Sequence, residues 1–210
     1  MNNKKYISLI LFFYFANSLI AEEIRITPRD VLKINEIIEK MKKKDTLMFS
    51  SGIYNLEKPV YIKGKNFIEL RAEKDVFIVL KENLEIFILN NSHNVVISGI
   101  HAKHVMPYES KYCTSGVMII YNSHDILVSN VELNGSGIVG ILIQNSASIT
   151  VTNSHLHDNS KSAIEFKGNV DNIVIQNNKI DNNPVFIQSA IALEKLTDQV
   201  MIKNNDVIIK

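Results

Sequence analysis

The sequence predicts an all-β solenoid, a parallel β-helix closed at its N-terminal end by one capping helix. Three observations predict it. The segments HNVVISGI, HDILVSNV, ASITVTNS, DNIVIQNN and QVMIKNN align Gly99, Asn130, Asn153, Asn177 and Asn204 at steps of 31, 23, 24 and 27 residues. Units recurring at that length bury their apolar faces only against their neighbours. Within each unit the apolar residues alternate with period 2, as in strands that have one face turned inward. Each unit also holds three such runs. A helical repeat of the ankyrin type needs about 33 residues and a 3.6 period, and neither is present.

Along the chain, Lys4 and Lys5 precede the apolar run YISLILFFYFA, which is followed by Asn17-Ser18 and by Ala21 before Glu22-Glu23. This is the layout of a secretory signal peptide spanning residues 1–21. The run is short for a membrane span, although Leu19 departs from the small residue favoured there and leaves a retained anchor as the alternative. Removal of the leader takes away Lys4 and Lys5 and turns the net charge from +1 to −1. The expected address is secreted or periplasmic.

Residues 22–44 read as the capping region. Thr27 can cap a helix that begins with Pro28, and Val31, Leu32, Ile34, Ile37, Ile38 and Met41 form its apolar stripe ahead of Lys42, Lys43 and Lys44. Such a helix covers the open end of a solenoid. Residues 45–210 read as the coil. The inward pairs are Phe87/Leu89, Met118/Ile120, Ile141/Ile143, Ile164/Phe166 and Ile191/Leu193 in one strand series. In the next they are Val95/Ile97, Ile126/Val128, Ile149/Val151, Ile173/Ile175 and Val200/Ile202. Ala102, Leu133, Leu156, Ile180 and Val207 follow as a third series. The turn asparagines tolerate left-handed backbone angles, and stacked on successive rungs they can form an amide ladder. The sequence stops at Asp206–Lys210 in mid-turn without an obvious polar cap, so the expectation is that either another chain covers that edge or the edge is tolerated frayed.

Hydrophobic residues make up 46% of the chain and aromatic residues 8%, the balance of an ordinary globular protein. Arg25, Arg29 and Arg71 are the only arginines, so no basic patch points to nucleic acid. The single cysteine, Cys113, has no partner for an internal disulfide and no recognisable nucleophile signature around it. No cofactor is called for.

The leader, the amphipathic helix, the segment DTLMFSSGIYNL and the coils of N-x-x-I-x-x-N resemble the right-handed parallel β-helix proteins of the pectin lyase-like superfamily, over residues 27–210. That superfamily includes polysaccharide lyases, glycoside hydrolases, uronan epimerases, surface adhesins and a periplasmic copper-site maturation protein. The resemblance implies a right-handed coil. It carries over no catalytic role, because the chain has no adjacent Asp-Asp, no Arg-Ile-Lys, no arginine in the repeats and no Asp-Pro-His-Glu.

Chemistry is expected in two places. The 31-residue step holds about eight extra residues, VMPYESKYC at 105–113, and insertions in repeats often form the binding face. Tyr108, Glu109, Lys111 and Tyr112 are its ligand-binding candidates, since tyrosine offers a sugar both an apolar ring and a polar tip. Beside it, two outward rows follow from the register: His101, Glu132, His155, Lys179 and Lys103, Asn134, His157, Asp181. With His104 they gather four histidines. His101, His155 and His157 are candidate acids or bases, Glu132 can orient them, and Lys103 can neutralise a uronate carboxylate. Imidazole with carboxylate could also bind a transition metal, a reading ranked behind catalysis and with no residue assigned as a metal ligand. Ordinary cross-strand pairing, ranked ahead of both, explains the same pattern without function. A further outward row, Val96, Leu127, Thr150, Val174 and Met201, is mostly apolar and is expected to be covered by a partner, a terminus or the loop. The leading expectation is an exported β-helix that binds a polysaccharide or another extended surface ligand. A lyase or hydrolase using the histidine patch and a periplasmic metal-associated accessory protein are the alternatives, with a homo-oligomer formed through the C-terminal edge or the apolar row.

Overall fold

The computed structural model describes residues 21–82, 84–104, 116–135, 138–189 and 198–209. Its strands lie on three faces of one coil, and each pairs in parallel with the strand one turn away. Face A carries Val60–Lys63, Phe87–Asn90, Met118–Tyr121 and Val185–Ser189, together with the first halves of Val139–Thr152 and Ser162–Gln176. Face B carries Glu23–Ile26, Thr46–Phe49, Asn66–Ala72, His93–Ser98, His124–Ser129, the second halves of the two long strands, and Val200–Lys203. Among the described residues, face C is a seven-stranded sheet from Gly52–Leu56 to Asp206–Ile209.

The register is the one the repeats predict. Val95, Ile126, Ile149, Ile173 and Val200 are successive partners on face B, and Ala102, Leu133, Leu156, Ile180 and Val207 on face C. Residues two dozen apart in sequence are therefore one rung apart in space. Their side chains fill a continuous apolar core, which supplies most of the stabilisation in such a coil.

One inward pair is corrected. The rung above Ile164 and Phe166 is occupied by Ile187 and Ser189, while Ile191 and Leu193 lie outside the described residues. The segment VFIQS alternates as well as AIALE does, and it follows Asn183 without an intervening loop. Ile202 and Val207 hold the expected register but are 52% and 37% exposed, since no described strand pairs beyond them.

The corners follow one rule. A left-handed residue turns the chain, and the next residue points into the core. Asn130, Asn153, Asn177 and Asn204 have φ of 52°, 51°, 56° and 52° and are exposed. The ladder expected of these asparagines is formed instead by their successors. Ser154 N–H donates to Asn178 Oδ1 at 2.9 Å, and Asn178 N–H to Asn205 Oδ1 at 2.9 Å. A second corner repeats the device: Asn91, Asn122 and Asn145 are left-handed, and the buried Ser92, Ser123 and Ser146 follow. There Ser92 N–H donates to Ser123 Oγ and Ser123 N–H to Ser146 Oγ, each at 3.1 Å.

The N-terminal cap is a 3-10 turn, Pro28–Lys33, running into an α-helix, Ile34–Lys40. Thr27 N–H and hydroxyl both donate to Asp30 Oδ2, at 3.0 and 2.9 Å. Ile34, Ile38 and Met41 are buried, whereas Leu32, assigned to the stripe, is 64% exposed. It lies in the 3-10 turn, whose three-residue period breaks the 3.6-residue phase of the stripe. The helix also closes a sheet edge. Asn35 Nδ2 donates to Pro59 O at 2.9 Å and Tyr61 N–H donates to Asn35 Oδ1 at 2.8 Å, so one side chain replaces a neighbouring strand. No described helix is long and apolar enough to cross a membrane.

Candidate functional site

Face C turns the residues on either side of Ala102, Leu133, Leu156 and Ile180 outward because these four turn inward. His101, Glu132, His155 and Lys179 consequently form one straight row and Lys103, Asn134, His157 and Asp181 the next, as expected. His104 is a correction. It lies two residues beyond Ala102, so the same alternation turns it into the core, where it is buried and its Nε2 lies 2.7 Å from Leu84 O. Lys103 is exposed at the lower end of its row. Tyr108, Glu109, Lys111 and Tyr112, with Cys113, lie outside the described residues.

The remaining groups converge. His155 Nε2 lies 2.9 Å from Asp181 Oδ1, and Lys179 Nζ 2.6 Å from Asp181 Oδ2. His157 Nδ1 lies 2.6 Å from Asp158 Oδ2. Its other nitrogen, Nε2, lies 3.3 Å from Glu132 Oε1 and 3.2 Å from Asn134 Nδ2. His101 Nδ1 approaches the second Glu132 oxygen at 3.5 Å. The rings of His155 and His157 stack with centroids 4.0 Å apart. Beside them is an open depression of about 470 Å³ lined by His101, Glu132, Ser154, His155 and Lys179.

The electrostatics favour the ionised forms of Asp181 and Asp158. The Lys179 ammonium keeps Asp181 below the usual carboxylate range against the opposing effect of burial, with His155 adding to it. Lys179 is raised in return by its bond to Asp181. For Asp158, burial pushes upward, but hydrogen bonds from His157 and Asn182 outweigh it and the carboxyl ends below its ordinary value. Each of two histidines thus has a charged carboxylate on one ring nitrogen, which fixes the ring and its tautomer and leaves the opposite nitrogen for a proton, a hydroxyl or a metal.

Asp158 was missed from sequence although it directly follows the strand HLH. Its left-handed φ of 54° brings the carboxylate back onto His157. Glu165 was missed as well. On the outward side of face A it is only 4% exposed, with Lys167 Nζ at 3.4 Å and Lys161 Nζ at 3.7 Å. The signal was a lone acid inside the apolar run AIEF, flanked by lysines. The apolar row Val96, Leu127, Thr150, Val174 and Met201 is in register on face B, its first four members half-buried and Met201 exposed.

Residues 79–207 match the family model described as right handed beta helix region. No curated protein matches the chain. Among solved structures, the chain is similar to a candidate glycosyl hydrolase from Parabacteroides merdae, with a TM-score of 0.70 and 14% identity over 88% of this chain and 97% of that one. It is also similar to the ORF18 protein of Geobacillus virus E2, with a TM-score of 0.65 and 11% identity, where the match covers 87% of this chain and 41% of the viral one. A third is jun a 1, the major allergen of cedar pollen, with a TM-score of 0.53 and 10% identity over 90% of this chain and 77% of the allergen. At these identities the likeness concerns the fold.

Proposed function

The chain belongs to the right handed β-helix family, and from that premise we propose that it is an exported protein whose face C binds a polysaccharide or a comparable extended surface ligand. The observation that carries this reading is the pair of straight polar rows, His101–Glu132–His155–Lys179 and Lys103–Asn134–His157–Asp181. Rungs repeat at about 4.8 Å, so a polymer lying along the coil axis meets a fresh donor or acceptor at every rung. The mixture of imidazole, carboxylate, amide and ammonium suits sugar hydroxyls and, through Lys103 and Lys179, a uronate carboxylate. Tyr108, Glu109, Lys111 and Tyr112 of the insertion at 105–113 belong to the same proposal as further ligand-binding residues. Export would give a secreted chain beginning at Glu22, which N-terminal sequencing reads directly. A second copy meeting the apolar row would give a dimeric mass in light scattering.

The test is an array of neutral and uronate glycans, read with the wild type and with the His155→Ala/His157→Ala double variant. Retention of at least one glycan class, weakened about tenfold or more in the double variant, is expected. Retention of none, or equal retention by both proteins, would sink the reading.

A second reading, polysaccharide lyase or hydrolase, is favoured by one observation: the His155–Asp181 and His157–Asp158 contacts at 2.9 and 2.6 Å are the arrangement of an oriented general base. Unsaturated product absorbing in the ultraviolet would establish lyase action, and new reducing ends without such absorbance hydrolysis. Bound glycan left intact leaves the non-catalytic reading.

A further inference from the structure

We propose that Glu132, His155 and His157 form a binding site for one transition-metal cation of the Zn²⁺ or Cu²⁺ class. One ligand atom from each of the three lies within 4.8 Å of the other two. They come from adjacent rungs of one sheet, Glu132 being the direct partner of His155, so the backbone already holds them together, and binding would draw the donors in by side-chain rotation to metal–ligand distances of about 2 Å.

The hydrogen bonding around His157 points the same way. Asp158 can only accept, so the 2.6 Å contact places the ring proton on Nδ1. In the neutral ring Nε2 then carries a lone pair, and it stands 3.3 Å from Glu132 Oε1, which is another acceptor. Two acceptors facing each other at that distance are reconciled by a positive charge between them, either a second ring proton or a bound cation. Asn134 Nδ2 serves both at once, at 3.2 and 3.3 Å, and one amide shared at those lengths leaves each partly satisfied. A metal ion resolves the conflict directly.

The outer shell is in place too. Asp158 holds His157 at Nδ1, and Asp181, itself fixed by Lys179 at 2.6 Å, holds His155 at Nε2. Carboxylates behind ligating histidines orient the rings and raise their basicity. Two nitrogens and one carboxylate favour zinc or copper over calcium or magnesium, which prefer oxygen-only shells. With three protein ligands, the fourth position opens on the depression shared with His101 and Lys179.

The experiment is a calorimetric titration of chelator-treated protein with ZnCl₂, without glycan, in parallel with thermal melts. One Zn²⁺ per chain is expected, with a melting temperature raised by roughly 5 °C at a hundredfold excess over Kd. Glu132→Gln and His157→Ala should each weaken binding about tenfold or more, while His124→Ala, on face B, should leave it unchanged. Circular dichroism of Glu132→Gln, which keeps the side-chain shape, separates lost ligation from lost fold. No saturable binding below about 1 mM, equal binding by the Glu132→Gln and His157→Ala variants, or Ca²⁺ binding as tightly as Zn²⁺ would each overturn the assignment. Since glycan is absent throughout, failure here is distinct from failure of the polysaccharide reading.

Discussion

Two regions of this coil stack polar side chains rung upon rung, and they use them in opposite ways. At the corners Ser92, Ser123, Ser146, Ser154 and Asn178 are buried and bonded almost wholly to backbone, with Asn178 Nδ2 donating to Val151 O at 3.0 Å and Ser123 Oγ to Tyr121 O at 2.9 Å. On face C His101, His155, His157, Glu132 and Asp181 are half-buried and bond chiefly to one another and to neighbouring surface side chains. A polar ladder whose partners are main-chain groups is part of the scaffold, because the backbone cannot exchange it for water. A ladder whose partners are other surface side chains can release them to a ligand. The distinction rests on what each atom is bonded to, and residue type alone does not make it.

The largest expected effect breaks the first region. Asn178→Ala removes the side-chain acceptor of Ser154 N–H and the donor to Val151 O in a site that water does not reach. Buried groups left unsatisfied cost about 1–3 kcal/mol each, so a loss of roughly 3 kcal/mol in urea denaturation is expected. A loss under about 1 kcal/mol would mean that the corner ladders are dispensable. The matching change in the second region, His155→Ala with His157→Ala, should cost less than about 1 kcal/mol because partly exposed ion pairs contribute little. The same double variant should nevertheless lose glycan and Zn²⁺ binding. Equal destabilisation by both changes would erase the contrast between the regions.

Acid sharpens it further. Asp181 and Asp158 are both held below their ordinary values in the fold. Their contribution is therefore fully present above the unfolded carboxylate value of about 3.9 and is lost as pH falls below it through the folded value. Above that window wild type should be more stable than Asp181→Asn, and the two should converge in stronger acid, as read by denaturation at a series of pH values. A gap that stays constant down to acid would show that the carboxylate's charge is not what the site uses.

The coil and its outward rows were legible in sequence because a single fact, the inward residue recurring every two dozen positions, fixes them both. His104 was equally legible, since the alternation that buries Ala102 buries it too, yet proximity to His101 suggested otherwise. Asp158 and the successors of the corner asparagines were not legible. Their placement follows from left-handed backbone angles at single residues, which periodicity does not encode. Ile187 and Ile191 compete for one rung with equally good alternation, and only the absence of a loop after Asn183 decides between them.

The smallest expected effect concerns a corner residue that breaks the rule of its column. Asn94, Asp125, Ser148 and Asn172 occupy equivalent left-handed positions at the start of the face B strands, residues whose short polar side chains tolerate that conformation. Phe67 occupies the same place one rung below Asn94, at φ 57°, with 45% of its surface exposed. Its ring keeps an edge contact with His93 at 5.4 Å and has Lys43 Nζ 5.3 Å from its centroid, interactions that offset part of the strain of about 1–2 kcal/mol. Phe67→Asn should therefore stabilise the protein by about 0.5 kcal/mol, the difference between relieved strain and lost ring contacts. A thermal melt that moves upward fits a corner governed by backbone angle alone. A downward shift would mean that the exposed ring contributes more through His93 and Lys43 than its conformation costs, which would place this corner with the surface ladders, whose side chains act through one another.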